Sequence, residues 1–513
     1  MTPPDESPPE QSADPGESAD PDESPPEQST DPGESADPEN PVGADGSFDE
    51  VDAFIDARFD RFLADLRDHV AQPSISATGE GIRECATLLR DLSLEYGFDE
   101  AEIVETSGHP AVVAHAFVDG DPENDAPTVL VYGHYDVQPV TPADWDTPPF
   151  EPTLKEVDGR EYLHGRGTVD NKGQHFAYLA AVRTLRETVG LPVNVTLLLD
   201  GEEESGSPNL MDAVETRRAA LDADVSINSD GPVDESGRPT VVFGNRGILI
   251  VEVTVRGPDW DLHSGHYGGA IPNPARELAR LVDTMYAEDG RVAIEGFYDD
   301  VAPITETDRE LLAAIEPDPD ELTAKLGVGG LEDGPGETVL EKTLYHPILN
   351  VNGLAGGHVE EGYKTIVPSE ASATLDARLV VDQDPDDVFD RIATHVERHA
   401  DDRLETTLTR HGEMDPTRTP VDSPYRKAVV DAVAAGWGEE PVVKPLSGGS
   451  APYALFTDVL GVPHISVPHG QRDNNQHSPN EHYAVDHLEK GIRTSARVLA
   501  AVASASDDDR RSD

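Results

Sequence analysis

Three short strings in this chain concentrate side chains that hold cations and move protons: GHYDVQP at 133–139, GRGTVDNKG at 165–173 and DGEEESGS at 200–207. The first and third begin where an apolar run stops, Thr128 to Tyr132 and Val193 to Leu199, which places their polar groups at the ends of buried strands. Open α/β sheets keep their ligand sites at such ends. His134, Asp136, Asp170, Glu203 and Glu204 offer imidazole and carboxylate, the donors that Zn²⁺ and similar ions take. In the His-x-Asp spacing, His134 can ligate while Asp136 turns to its second ring nitrogen. Asp170 is a carboxylate able to bridge two cations. Glu203 and Glu204 are costly to bury side by side without a cation. Such a pair can divide its roles, one carboxylate on metal and the other free to take a proton from water. Asp230, after the strand-like VSIN, and His477 in QHSPNE are the remaining candidates. Among 18 histidines and 102 acids a single residue is usually a solvated surface group, so the residues alone allow a metal enzyme without requiring one.

The elements that must position these groups are legible from periodicity. Apolar residues from Val51 to Val70 recur at three- and four-residue steps, a helix with one buried face. A second helix near Gly81 to Tyr96 precedes strand-like Ala111 to Phe117 and Thr128 to Tyr132. A helix follows at Lys172 to Val189, then strands at Val193 to Leu199, Asp224 to Asn228 and Thr240 to Phe243. This alternation predicts an α/β fold with a mostly parallel sheet covered on both faces. Near Arg246 the style shifts: strand Ile248 to Val255, helix Pro274 to Tyr286, alternating strand Ala371 to Val381 and helix Pro385 to His399 suggest a smaller inserted α+β module. After Thr419 the first style returns, with a helix at Tyr425 to Trp437, a short strand around Val462 to Val467 and a terminal helix from Val485 to Ala503. The expected organisation is a discontinuous domain at 47–245 and 420–506, an insert at 246–419 and a charged tail at 507–513 that frays.

The sequence SPPEQSADPGESADPDE at 7–23 recurs as SPPEQSTDPGESADPEN at 24–40. With no aromatic and no Lys or Arg, residues 1–46 are expected to be a disordered, solubilising tail. Over the whole chain 38 basic residues face 102 acidic ones, a net charge of −64 that argues against nucleic acid or an anionic membrane as partner. The acidic excess is spread throughout, and only 8 of the 38 basic residues are lysine, which reads as a solvation strategy for a salt-rich cytoplasm. Cys85 is the single cysteine, so no intramolecular disulfide forms. The start MTPPDESPPE has neither a basic nor an apolar stretch, and no run approaches the roughly 18 apolar residues of a membrane span, so a cytoplasmic protein is expected. GHVEEGYKT at 357–365 approaches the phosphate-loop pattern, but Tyr363 interrupts the required Gly-Lys pair and Pro368 prevents a following helix.

Taken in order, these strings resemble the co-catalytic metallopeptidases that include carnosinase-type dipeptidases, aminoacylase, acetylornithine deacetylase and succinyl-diaminopimelate desuccinylase, nearest to the dipeptidase branch. The resemblance implies a phosphorylase/hydrolase-like catalytic domain and an inserted α+β lid and dimerisation domain. It implies that His134, Asp170 and Asp230 hold one metal, that Asp170, Glu204 and His477 hold the other, and that Asp136 orients His134. The ions implied are two Zn²⁺, with Mn²⁺ or Co²⁺ as alternatives. They would share a water that loses its proton to Glu203, the general base. The family has a hydrophobic residue before its paired acids, whereas here Glu202 makes a triple, so the assignment rests on register against Ser205 and Gly206.

In DLHSGHYGG at 261–269, His263 resembles an oxyanion-stabilising imidazole supplied by the neighbouring subunit of a homodimer. Lys364, Thr365 and Arg378, with Ser450 in the GGS at 448–450, resemble substrate contacts, Arg378 suiting the carboxylate of a peptide C-terminus. The implied activity is cleavage of the amide in a dipeptide or short peptide with a free C-terminal carboxylate. An N-acyl amino acid deacylase is the near alternative, disfavoured because peptidases of the family tend to carry Asp at the position of Asp230. A non-catalytic, metal-dependent peptide-binding dimer is disfavoured by the presence of Glu203.

Overall fold

The structure of the protein is a computed structural model that describes residues 48–332 and 335–510; the repeat at 7–40 lies outside the described residues. Its centre is an eight-stranded sheet, in the order Glu100–Val104, Ala111–Ala116, Asn194–Asp200, Thr128–His134, Val225–Asn228, His464–Ser466, Thr240–Val242, Val442–Lys444. The middle four strands run parallel, and the antiparallel partners lie towards the edges. Two of the middle strands, Thr128–His134 and Asn194–Asp200, read as nearly continuous apolar runs because both faces are buried. Along Thr128–His134, Val129 and Val131 enter one core while Leu130 and Tyr132 enter another, as the two-residue period of a strand dictates. Helices Phe48–Ala71, Lys172–Glu187, Pro424–Trp437 and Val485–Arg510 cover the first of these cores.

The second sheet is built entirely from residues between 247 and 414, in the order Ile348–Gly356, Glu370–Leu379, Gly247–Arg256, Glu405–Met414, all antiparallel. Helices Pro274–Asp283 and Pro385–His399 lay their apolar faces on it, with Leu278, Leu281, Val388 and Ile392 fully buried against Leu249, Val251 and Leu375. Both helices start with an Asx side chain capping the first turn and proline at the next position, a favoured N-terminal arrangement.

Two strands of this sheet carry no apolar alternation and escape a reading by periodicity. Ile348–Gly356 is an edge strand exposed over most of its length, and Glu405–Met414 is polar on both faces. The short helices Glu306–Ala313, Pro319–Leu326 and Val339–Leu344 also fall within what reads as a structureless insertion. The last helix continues to Arg510, beyond the expected end at Ala503, since no glycine or proline follows Gly491 to stop it. Among the described residues no helix is long and apolar enough to cross a membrane.

Candidate metal centre

His134 is the last residue of its strand and is completely buried. Its Nε2 lies 3.1 Å from Asp170 Oδ1, 3.5 Å from Asp230 Oδ2 and 3.8 Å from Glu203 Oε2. On its other side Nδ1 is 3.1 Å from the Asp136 carbonyl and 3.4 Å from the Asp136 carboxylate. That carboxylate also accepts from the backbone N–H of Glu203 at 3.0 Å and of Glu204 at 3.1 Å. Asp136 therefore holds the imidazole and the acidic turn in one register, a second task beyond the orientation expected of it. Asn171 ties two further segments together: its amide donates to the Ser229 carbonyl at 2.7 Å, and its oxygen accepts from the His134 N–H at 3.4 Å.

The triple acid separates by position. Glu202 accepts from the His109 N–H at 2.9 Å and from Asn209 at 2.8 Å, so it fastens the loop and faces away from His134. Glu203 approaches His134, and Glu204 Oε2 lies 3.1 Å from His477 Nε2. His477 Nε2 is also 2.8 Å from Asp170 Oδ2, so one aspartate presents its two oxygens to two different imidazoles. Two glutamines trim this outer group: Gln138 donates to Glu204 Oε2 and Gln476 to Asp170 Oδ2, each at 2.8 Å.

The donor atoms fall into two sets, His134 with Asp170 and Asp230, and Asp170 with Glu204 and His477, each lying within 4.8 Å of one another. Their electrostatics fit divalent cations. Burial and the neighbouring Asp230, Asp170 and Glu204, opposed by His134, push the Glu203 carboxyl up to about 8. Hydrogen bonds donated to Asp170 and Glu204 raise the His477 imidazole to about 10. Burial works against a charged His134, yet Glu203, Asp136, Asp170 and Asp230 together hold its pKa well above the ordinary value. A cluster in which Glu203 holds its proton and both imidazoles are drawn toward the charged form lacks positive charge, which two divalent ions would supply.

A cavity of about 290 Å³ opens beside this cluster, lined by Asp170, Glu203, Asp230 and His477 on one wall and by Ser447, Gly449 and Ser450 on another. Arg378 stands behind Ser450, donating to its hydroxyl at 3.2 Å and to Asp376 at 3.0 Å. Tyr453 also lines the cavity, its hydroxyl accepting from Asn228 at 2.5 Å; nothing in the sequence around it singles it out. His263 and Thr365 meet each other elsewhere, on the two-stranded ribbon of Leu262–His263 and Ile366–Val367, where the Thr365 carbonyl accepts from Ser264. Both are exposed, as is Lys364, and none of the three lines the cavity.

Residues 130–501 match the model of peptidase family M20/M25/M40. Rat Beta-Ala-His dipeptidase is 32% identical over 370 residues, covering 69% of this chain and 74% of that protein. The Cys-Gly metallodipeptidase DUG1 of Candida albicans is 30% identical over 427 residues, 78% of this chain and 86% of its own. Among solved structures, the M20 family metallo-carboxypeptidase Sso-CP2 from Sulfolobus solfataricus superposes with a TM-score of 0.77 at 38% identity, covering 86% of this chain and 99% of that one. The matched span begins inside the strand that ends on His134 and includes the acidic turn, Asp230 and His477, so the chain belongs to peptidase family M20/M25/M40 and is a hydrolase.

Proposed function

We propose that the protein is a two-metal dipeptidase that cuts the amide of a dipeptide or short peptide carrying a free C-terminal carboxylate. The observation that carries this reading is the pair of donor sets joined through Asp170, with Glu203 beside them and in neither. His134, Asp170 and Asp230 hold one cation, and Asp170, Glu204 and His477 hold the other. Bound divalent ions supply Lewis acidity toward a carbonyl and a water made acidic near neutral pH. Glu203 takes the proton of the attacking water and returns it to the departing amine. Asp136 keeps His134 in one orientation and fixes the turn on which Glu203 stands. Ser450 and Arg378 receive the C-terminal carboxylate, for which a guanidinium fork is suited.

The names of the relatives, dipeptidases for Beta-Ala-His and for Cys-Gly, support this class over N-acyl amino acid deacylation. Stripped protein resupplied with Zn²⁺, Mn²⁺ or Co²⁺ and offered dipeptides beside acetylated amino acids tests it. Turnover of dipeptides is expected, and turnover of acetylated amino acids alone overturns it.

The reading includes a homodimer formed through the insert at 246–419, which serves as lid to the domain formed by 47–245 and 420–506. Ile348–Gly356 is an edge strand with no charged residue in a chain that is 27% charged, and Val351 and Leu354 on it are exposed. An uncharged, exposed strand edge invites pairing with another chain. A second copy there is the source of His263 and Thr365 for the cavity, whose own lining lacks both. Sedimentation at micromolar concentration should find a dimer, and Leu354→Lys should dissociate it. The same reading places the protein in a salt-rich cytoplasm.

A further inference from the structure

Glu481 follows His477 by four residues and is completely buried, yet the chemistry above makes no use of it. Its carboxylate accepts four hydrogen bonds, all from one turn. Oε2 takes Arg166 Nη1 at 2.8 Å and the Gly167 N–H at 2.9 Å, while Oε1 takes the N–H groups of Val169 at 3.0 Å and Asp170 at 3.1 Å. Its own carbonyl accepts from the Gly165 N–H at 3.0 Å. One residue therefore holds both ends of the 165–170 turn, including the backbone of the aspartate common to the two donor sets. The chain beyond it continues this pairing, since His482–Ala484 lies antiparallel to Arg160–His164.

Arg166, which neutralises Glu481, is only 3% exposed, and its guanidinium sits 5.2 Å from the centre of the Trp145 ring. A buried ion pair of this kind is a weak source of net stability, because removing both charges from water offsets their attraction. Its effect is geometric: a planar carboxylate with four fixed donors admits one placement of the turn.

We infer that Glu481 is a positioning residue that sets the Asp170 turn in register with the His477 loop, so that Asp170 presents one oxygen to each donor set. This rests on the two-cation reading of the site. A glutamine at 481 keeps the shape but turns an NH₂ group toward N–H donors, so the turn loses its register.

Calorimetric titration of metal-stripped protein with Zn²⁺, and the visible spectrum of the Co²⁺-loaded form, test this without recourse to activity. Wild type should bind two cations per chain. Glu481→Gln, folded by near-ultraviolet circular dichroism, should bind them about 10–100-fold more weakly, the loss seen on disturbing groups that orient metal ligands. Its Co²⁺ spectrum should also differ from that of wild type. Where Glu481→Gln fails to fold, Glu481→Asp keeps the charge beside Arg166 but is one methylene too short to reach all three backbone amides, and the same weakening is expected. A folded variant with wild-type affinity and an unchanged Co²⁺ spectrum overturns the inference. Wild type that binds no cation overturns the reading of the site instead.

Discussion

The two donor sets share Asp170 but are built on different foundations. His134 closes a strand in the middle of the central sheet and has no exposed side-chain surface, and Asp230 stands two residues past the neighbouring strand. His477 projects from a loop, its side chain 54% exposed and its backbone in the left-handed region at φ 60°, with Asn475 and Asn480 in the same region. One half of the site thus inherits the rigidity of packed strands, while the other depends on a polar loop kept in place by hydrogen bonds. The difference teaches that one centre contains a fixed floor and an adjustable outer wall, and that the floor should be harder to perturb but costlier to lose.

The largest expected effect falls on the residue between the two halves. Glu203→Gln should lower kcat by about 10²- to 10⁴-fold while both cations stay bound, because it removes a proton acceptor and no ligand. Activity close to wild type with confirmed metal content would show that neither half depends on Glu203. Next come the two imidazoles. His134→Ala should abolish binding at its own set and cost about 3–5 kcal/mol of stability in chelator, because buried acids lose their partner. His477→Ala should reduce the metal content from two to one and cost less stability than His134→Ala, because the His477 side chain is 54% exposed and Asp170 keeps His134 and Gln476 as partners. Equal losses of stability in denaturant titrations of the two variants would erase the distinction drawn here.

A pH series sharpens the comparison by acting on imidazoles buried in the core, the floor among them. His175 packs beneath Gly133 and pairs with His69 at 3.1 Å, and burial pushes its pKa down to about 3, with His464 and His469 lowered to about 3 by the same cause. These groups are neutral in the folded chain and titrate near 6.5 when unfolded, so between those values the unfolded state binds more protons. Their contribution is complete above about pH 6.5 and is lost progressively as pH falls toward 3. The melting temperature at saturating salt should drop by on the order of 10 °C between pH 7 and pH 5. A flat profile would mean that the floor is not set on neutral imidazoles.

The smallest effect concerns ionic strength. With a net charge of −64, melting should rise with KCl as self-repulsion is screened. The exposed half of the site should respond more than the buried half, which is shielded from salt. Metal affinities of the two sets measured at low and high KCl would reveal a uniform response if this is wrong.

Much of the fold was legible because two central strands are buried on both faces and so appear as nearly continuous apolar runs ending in acids and histidines. The candidate ligands stood out for a related reason, since imidazoles and carboxylates gathered at strand ends are uncommon even in an acidic chain. The division of Glu202, Glu203 and Glu204 came only through the resemblance, by register against Ser205 and Gly206, because adjacent residues differ in direction only once the turn is formed. Gln138, Gln476 and Glu481 were invisible as participants: single polar residues in loops have no period and acquire a role only from what they touch. The edge strand Ile348–Gly356 was missed because an exposed strand buries no alternating face.

By itself, the order of residues determined which chemical groups were available, that several of them end buried strands, and that a second module interrupts the first. Only the tertiary structure decided which acids face which imidazoles. It also decided that Glu481 grips the Asp170 turn from 311 residues away. The reason is physical: periodicity records which face of an element is buried, but the meeting of groups distant along the chain is set by how packed strands and loops align in space.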